Sequence, residues 1–132
     1  MMKAAAAQLD TPIRVLIVDD HRLFAEALEA ILGGESSIDV VGRARNGSEA
    51  LELTLELEPD VVLMDISMPV MDGLEATRRI REARPGACVL MLTGSNAASD
   101  VDRARDAGAA GYVTKDRIAS ELVEAIVEAA GR

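Results

Sequence analysis

Five short apolar runs alternate along this chain with longer stretches of helical spacing. The runs at 14–18, 39–43, 60–64, 88–92 and 111–113 read as strands. Four of them are almost continuously apolar or β-branched, as expected for strands covered on both faces. The run at 39–43 alternates more and is expected at a sheet edge. Between the runs, Leu23, Ala27, Leu28, Ile31 and Leu32 mark one helical face, stopped by Gly33 and Gly34. Ser48 is the expected cap of a second helix that runs through Leu57 and ends before Pro59. Leu74, Thr77 and Ile80 share a face of a third, closed by Pro85 and Gly86. A fourth helix over 97–107 has only Val101, Ala104 and Ala107 to bury, so it is expected to be the most weakly anchored. Ile118, Leu122, Ala125, Ile126 and Ala129 fall at clean helical spacing in a fifth.

Alternating strands and helices of this number predict an α/β fold: a doubly wound, five-stranded parallel sheet of flavodoxin-like (βα)5 type. The expected strand order is 2-1-3-4-5, which reverses direction between strands 1 and 3 and places a ligand crevice at their carboxyl ends. Residues 1–12 read as a flexible tail and 13–132 as one domain. No internal repeat, low-complexity block or interdomain linker interrupts it.

Polar chemistry concentrates at the strand ends. The first run ends in Asp19 and Asp20 and the third in Asp65, so the sheet reversal crowds three carboxylates into one crevice. Like charges brought together are costly unless a cation neutralises them. An oxygen-only donor set with room for water suits Mg2+. The fourth and fifth runs end in Thr93 and Lys115, a hydroxyl and a cation. Magnesium beside a carboxylate, a lysine and a hydroxyl is equipment for phosphoryl transfer, with Asp65 as the nucleophile. Each residue has a plainer reading when taken alone. Asp20 caps a helix, Asp72 sits in a turn beside Gly73, Lys115 is a solvated lysine, and Thr93 is an ordinary strand-end hydroxyl. Met68 and Met71 read as loop packing. Their joint placement is what favours a site.

Composition narrows the function classes. The chain has 132 residues, about one domain, and its 49% apolar content is that of a globular protein. A net charge of −9 argues against a nucleic-acid surface, which needs clustered Lys and Arg. Phe24 and Tyr112 are the only aromatics, too few for base stacking. The single cysteine, Cys88, lies in an apolar run and reads as a buried, inert thiol. The single histidine, His21, reads as structural or solvent-facing. The chain carries no secretory signal and no run of membrane-spanning length, so a cytoplasmic location is expected.

The motifs Val-Leu-Ile-Val-Asp19-Asp20-His21, Asp-Val-Val-Leu-Met-Asp65-Ile-Ser-Met-Pro69-Val-Met-Asp-Gly73, Met-Leu-Thr93-Gly and Gly111-Tyr112-Val-Thr-Lys115 are highly specific together. On them the chain resembles the receiver domain of two-component response regulators from Ile13 to about Ala130. Asp-Asp-His and Asn46-Gly47-Ser-Glu-Ala-Leu resemble the subfamily that usually carries a C-terminal helix-turn-helix domain. The resemblance implies that Asp65 accepts phosphate from a sensor histidine kinase. It implies Mg2+ bound through Asp19, Asp20, Asp65 and the backbone carbonyl of Ser67. Thr93 and Lys115 would contact the phosphoryl group, and Tyr112 would be the switch aromatic. The implied protein is an acceptor and switch rather than a turnover enzyme. Its output would be transcriptional, through a DNA-binding domain absent from this chain, with homodimerisation on phosphorylation. Family members usually have Pro after the lysine, often with a cis bond; Asp116 stands there, which leaves the Lys115–Asp116 bond open. Two other readings are less well matched: a phosphorylation-independent adaptor, which has no need of all five site residues, and a haloacid-dehalogenase-like phosphatase, whose second acid is replaced by Ser67.

Overall fold

The computed structural model describes residues 11–66, 73–94 and 98–131. Strand β1 (Ile13–Val18) is followed by helix α1 (Arg22–Gly33), then β2 (Ile38–Ala44), α2 (Gly47–Leu57), β3 (Val61–Asp65) and α3 (Gly73–Ala83). The second half continues with β4 (Cys88–Thr93), α4 (Ala98–Asp106), β5 (Gly111–Thr114), a single 3-10 turn (Lys115–Arg117) and α5 (Ile118–Ala129). Every strand pairing is parallel, and the sheet order is β2-β1-β3-β4-β5. The expected architecture and strand order are therefore both present. Of the expected tail, all but Thr11 and Pro12 lies outside the described residues.

Strands β1, β3 and β4 are almost wholly apolar because each sends alternate side chains into two different cores. Ile13, Val15, Ile17, Leu63, Leu90 and Leu92 meet α1 and α5, through Leu28, Leu32, Leu122 and Ile126. Leu16, Val18, Val62, Met64, Val89 and Met91 meet α2, α3 and α4, through Ala50, Leu74, Ala76, Ile80 and Ala104. Strand β2 is an edge, as its alternation predicts. A bulge between Val15 and Leu16 in its pairing with β1 skips one β2 residue, so that Val15 faces Val40 and Leu16 faces Gly42.

Four local expectations need correction. The buried stripe of α1 is Ala25, Leu28 and Leu32, flanked by Phe24, whereas Leu23 is 80% exposed and Ile31 and Ala27 also face solvent. Apolar residues occupy two adjacent rows of this helix, and the sheet takes the row through Leu28 and Leu32. The cap of α2 is Asn46, not Ser48: its side chain accepts the Glu49 N–H at 2.9 Å while Glu49 Oε1 accepts the Arg45 N–H at 2.9 Å. The helix stops at Glu58, which takes a left-handed conformation (φ 51°) ahead of Pro59. Cys88 is half-buried rather than buried, because it opens β4 at the end of the sheet away from the acids. Finally, the reading of His21 as solvent-facing holds at 68% side-chain exposure but needs an addition, since its ring nitrogen lies within 3.3 Å of two carboxylates.

Candidate functional site

The crevice predicted from strand order is where the polar strand ends meet. Asp19 directly follows β1, Asp65 ends β3, Thr93 ends β4, and Lys115 directly follows β5. β1 and β3 are neighbours with Val18 opposite Met64, so the acids after them share the same rim. The backbone on either side is pinned. The Asp19 N–H donates to Ala44 O at 3.0 Å, and the Ile66 N–H donates to Leu92 O at 3.0 Å. The carboxylates are thus presented by the ends of hydrogen-bonded strands, more rigid supports than mobile loops.

Gly73 fixes the approach of α3 to this rim. A Cβ at Gly73 would lie 2.2 Å from the Asp65 carbonyl oxygen and 2.9 Å from Ile66 Cα, so no other residue fits without moving the backbone that carries Asp65. The Gly73 N–H donates to Ile66 O at 3.2 Å, and Thr77 Oγ1 donates to Gly73 O at 2.7 Å. The sequence places Gly73 beside the expected turn at Asp72 and marks nothing further about it. The strand-to-helix contact behind it becomes visible only with the fold in hand.

Asp19 and Asp65 are 2% and 1% exposed, and Asp20 lies further out. Lys115 Nζ stands 3.4 Å from Asp65 Oδ1 and also 4.9 Å from the centre of the Phe24 ring, which holds the ammonium over the crevice. Ligand atoms of Asp19, Asp20, His21 and Asp65 all lie within 4.8 Å of one another. At such separations two carboxylates repel by roughly 3–4 kcal/mol if the effective dielectric is near 20. One lysine beside three acids offsets only part of this. Asp19 Oδ2 is buried and finds no hydrogen-bond partner among the described residues. An acceptor buried in that way, facing a set of oxygen donors, is the condition a bound cation relieves. The residues present therefore fit a metal ion.

Thr93 is buried at the end of β4, opposite Thr114 on β5. Tyr112 is 42% exposed and sits at the rim of a cavity of about 230 Å³ between α4 and β5, with Val101, Ala104 and Arg105 opposite. The Lys115–Asp116 bond is trans. Ser67, with Met68, Met71 and Asp72, lies outside the described residues. His21 is the residue sequence reasoning missed. Its backbone N–H donates to Asp19 Oδ1 at 2.8 Å, and its ring Nδ1 lies 3.3 Å from Asp19 Oδ1 and 3.2 Å from Asp20 Oδ1. The signal was the Asp-x-His spacing, since an Asp carboxylate readily accepts the N–H two residues on.

Comparison with known proteins agrees with this geometry. The family profile described as the response regulator receiver domain matches residues 15–127. Response regulator protein VraR of Staphylococcus saprophyticus is 43% identical over 115 residues, covering 87% of this chain and 55% of that protein. Transcriptional regulatory protein LnrK of Bacillus subtilis is also 43% identical over 115 residues, covering 87% of this chain and 52% of its own length. Among solved structures, a two-component response regulator of the LuxR family from Aurantimonas sp. SI85-9A1 superposes with a TM-score of 0.87 at 37% identity, covering 92% of this chain and 88% of that one. The chain spans about half the length of the curated relatives it matches. Among the described residues, no helix is long and apolar enough to cross a membrane.

Proposed function

The chain belongs to the response regulator receiver domain family, and from that premise we propose that Asp65 accepts a phosphoryl group from a phosphohistidine of a sensor histidine kinase. The observation that carries this reading is a carboxylate 1% exposed at a strand end, with an ammonium 3.4 Å from one oxygen and two further acids beside it.

In the transfer, an Asp65 carboxylate oxygen attacks phosphorus in line with the leaving group. The new O–P bond forms as the P–N bond to the donor imidazole breaks, and the departing nitrogen ends protonated. Lys115 then pairs with a phosphoryl oxygen, and Thr93 donates its hydroxyl to another. Asp19, Asp20, Asp65 and the Ser67 carbonyl would hold Mg2+, which supplies countercharge for the incoming oxygens when bound.

The readout follows from where Thr93 sits. Drawing its hydroxyl toward the phosphoryl group vacates space at the end of β4, and Tyr112 turns inward from its exposed position. The cavity between α4 and β5 and the sparse anchoring of α4 support such a shift of a pre-existing equilibrium. This is a switch set by covalent state, not a turnover reaction. The output we propose is transcriptional, in line with a relative named as a transcriptional regulatory protein, with homodimerisation in the phosphorylated state and a cytoplasmic location.

Intact-mass measurement after incubation with acetyl phosphate tests the chemistry. The wild-type chain gains one phosphoryl group with Mg2+ and none with EDTA, and Asp65→Asn gains none. Equal labelling of the variant would overturn the assignment. Labelling indifferent to EDTA would overturn the metal requirement.

A further inference from the structure

His21 is the one histidine of the chain, and its side chain lies against the acids rather than in solvent alone. It is the first residue before α1, with extended backbone (φ −95°, ψ 102°), and its side chain makes no capping hydrogen bond to its own helix. The Asp19 carboxylate accepts the His21 N–H and curls the chain so that the ring overhangs the strand end. Nδ1 is then nearly equidistant from Asp19 Oδ1 and Asp20 Oδ1, at 3.3 and 3.2 Å. A ring nitrogen has at most one proton to give, so two oxygens at these distances share it at best in a long three-centre contact.

We propose that His21 is a nitrogen ligand of the acidic site and that it admits borderline transition ions, from Mn2+ to Zn2+, beside Mg2+. The inference rests on the reading of Asp19, Asp20 and Asp65 as a metal site. Octahedral bonds of about 2.1 Å set adjacent donors about 3.0 Å apart and opposite donors about 4.2 Å apart. The two nitrogen-to-oxygen distances match an adjacent pair closely, and the whole set within 4.8 Å needs only slight contraction. The buried Asp19 Oδ2, without a partner among the described residues, is an independent sign that this cluster is built around a cation.

The donor chemistry sets the selectivity. Mg2+ prefers oxygen and keeps its waters, so it gains little from an imidazole. Imidazole nitrogen suits Mn2+ weakly and Co2+, Ni2+ and Zn2+ better. Ligation through Nδ1 requires the proton on Nε2, and a side chain 68% exposed leaves that N–H hydrated. With one ring-nitrogen ligand added, the phosphoryl-accepting crevice becomes a mixed nitrogen–oxygen site.

The test uses the tag-free chain, so that every histidine signal comes from His21. Pulsed electron paramagnetic resonance of the Mn2+-loaded protein is expected to show imidazole nitrogen modulation, lost in His21→Asn. Calorimetry is expected to show Ni2+ binding roughly tenfold or more weaker in His21→Asn, with Mg2+ binding changed less than about twofold. Absence of nitrogen modulation in the wild-type chain overturns the proposal without need of any variant. An equal loss of Ni2+ and Mg2+ affinity also overturns it, because the histidine would then only be orienting the acids. His21→Gln repeats the comparison should the first variant fold poorly. If wild-type protein binds neither ion, the metal-site reading itself fails, an outcome distinct from Mg2+ binding that ignores His21.

Discussion

The two faces of the sheet are built from different side chains. On one, α1 and α5 press Leu28, Leu32, Leu122 and Ile126 onto Ile13, Val15, Ile17 and Leu63. On the other, alanines recur: Ala44, Ala50, Ala76, Ala87, Ala104 and Ala107, with Leu74 and Ile80 as the large helical residues. Each leucine in place of an alanine adds about 2 kcal/mol of burial, at roughly 0.8 kcal/mol per methylene. The bulky face therefore fixes α1, and with it Asp19, Asp20 and His21. The small-residue face holds α4 largely through Ala104 and the half-buried Val101. A rigid metal-side support and a loosely held readout side are what a phosphorylation switch requires, since elements with little buried area open at low cost.

Substitutions on the two faces test that contrast, beginning with the largest expected effect. Leu122→Ala removes a fully buried side chain from the bulky face and should cost about 2–5 kcal/mol in urea unfolding. Gly73→Ala forces a methyl into the Asp65 carbonyl and should cost about 1–3 kcal/mol, with slowed labelling by acetyl phosphate from the displaced acceptor. Unchanged labelling in that variant would show that α3 does not set the position of Asp65. Ala104→Gly, on the small-residue face, should cost only about 1.5–2 kcal/mol, a helix propensity difference of about 1 plus about 0.8 for one buried methyl. A cost equal to that of Leu122→Ala would erase the contrast between the faces. Leu23→Ser should change stability by less than about 0.5 kcal/mol, because that side chain is 80% exposed.

The sequence made the sheet legible because its central strands are covered twice and so carry apolar runs that end where the polar rim begins. Asp19, Asp65 and Thr93 were legible for the same reason, each being the first polar residue after such a run, with Asp20 and Lys115 one position further on. Helix faces were harder. In α1, the rows through Leu23 and Ile31 and through Leu28 and Leu32 are both apolar, and only the sheet decides which is buried. The true cap of α2 did leave a signal, Asn46 with Glu49 three residues on, which outweighs the nearer Ser48. His21 and Gly73 act through contacts made by neighbouring backbone, the Asp19 turn and the Asp65 carbonyl, so their roles emerge from the three-dimensional arrangement.

The proposed switch depends most on where phosphate lands. Borohydride reduction converts an aspartyl phosphate to homoserine, so reduction after acetyl phosphate treatment followed by peptide mass mapping reads the acceptor directly. The expected result is homoserine at position 65 alone, formed with Mg2+ and absent with EDTA. Homoserine at position 19 or 20, or a label that resists reduction and maps to His21, would contradict the account.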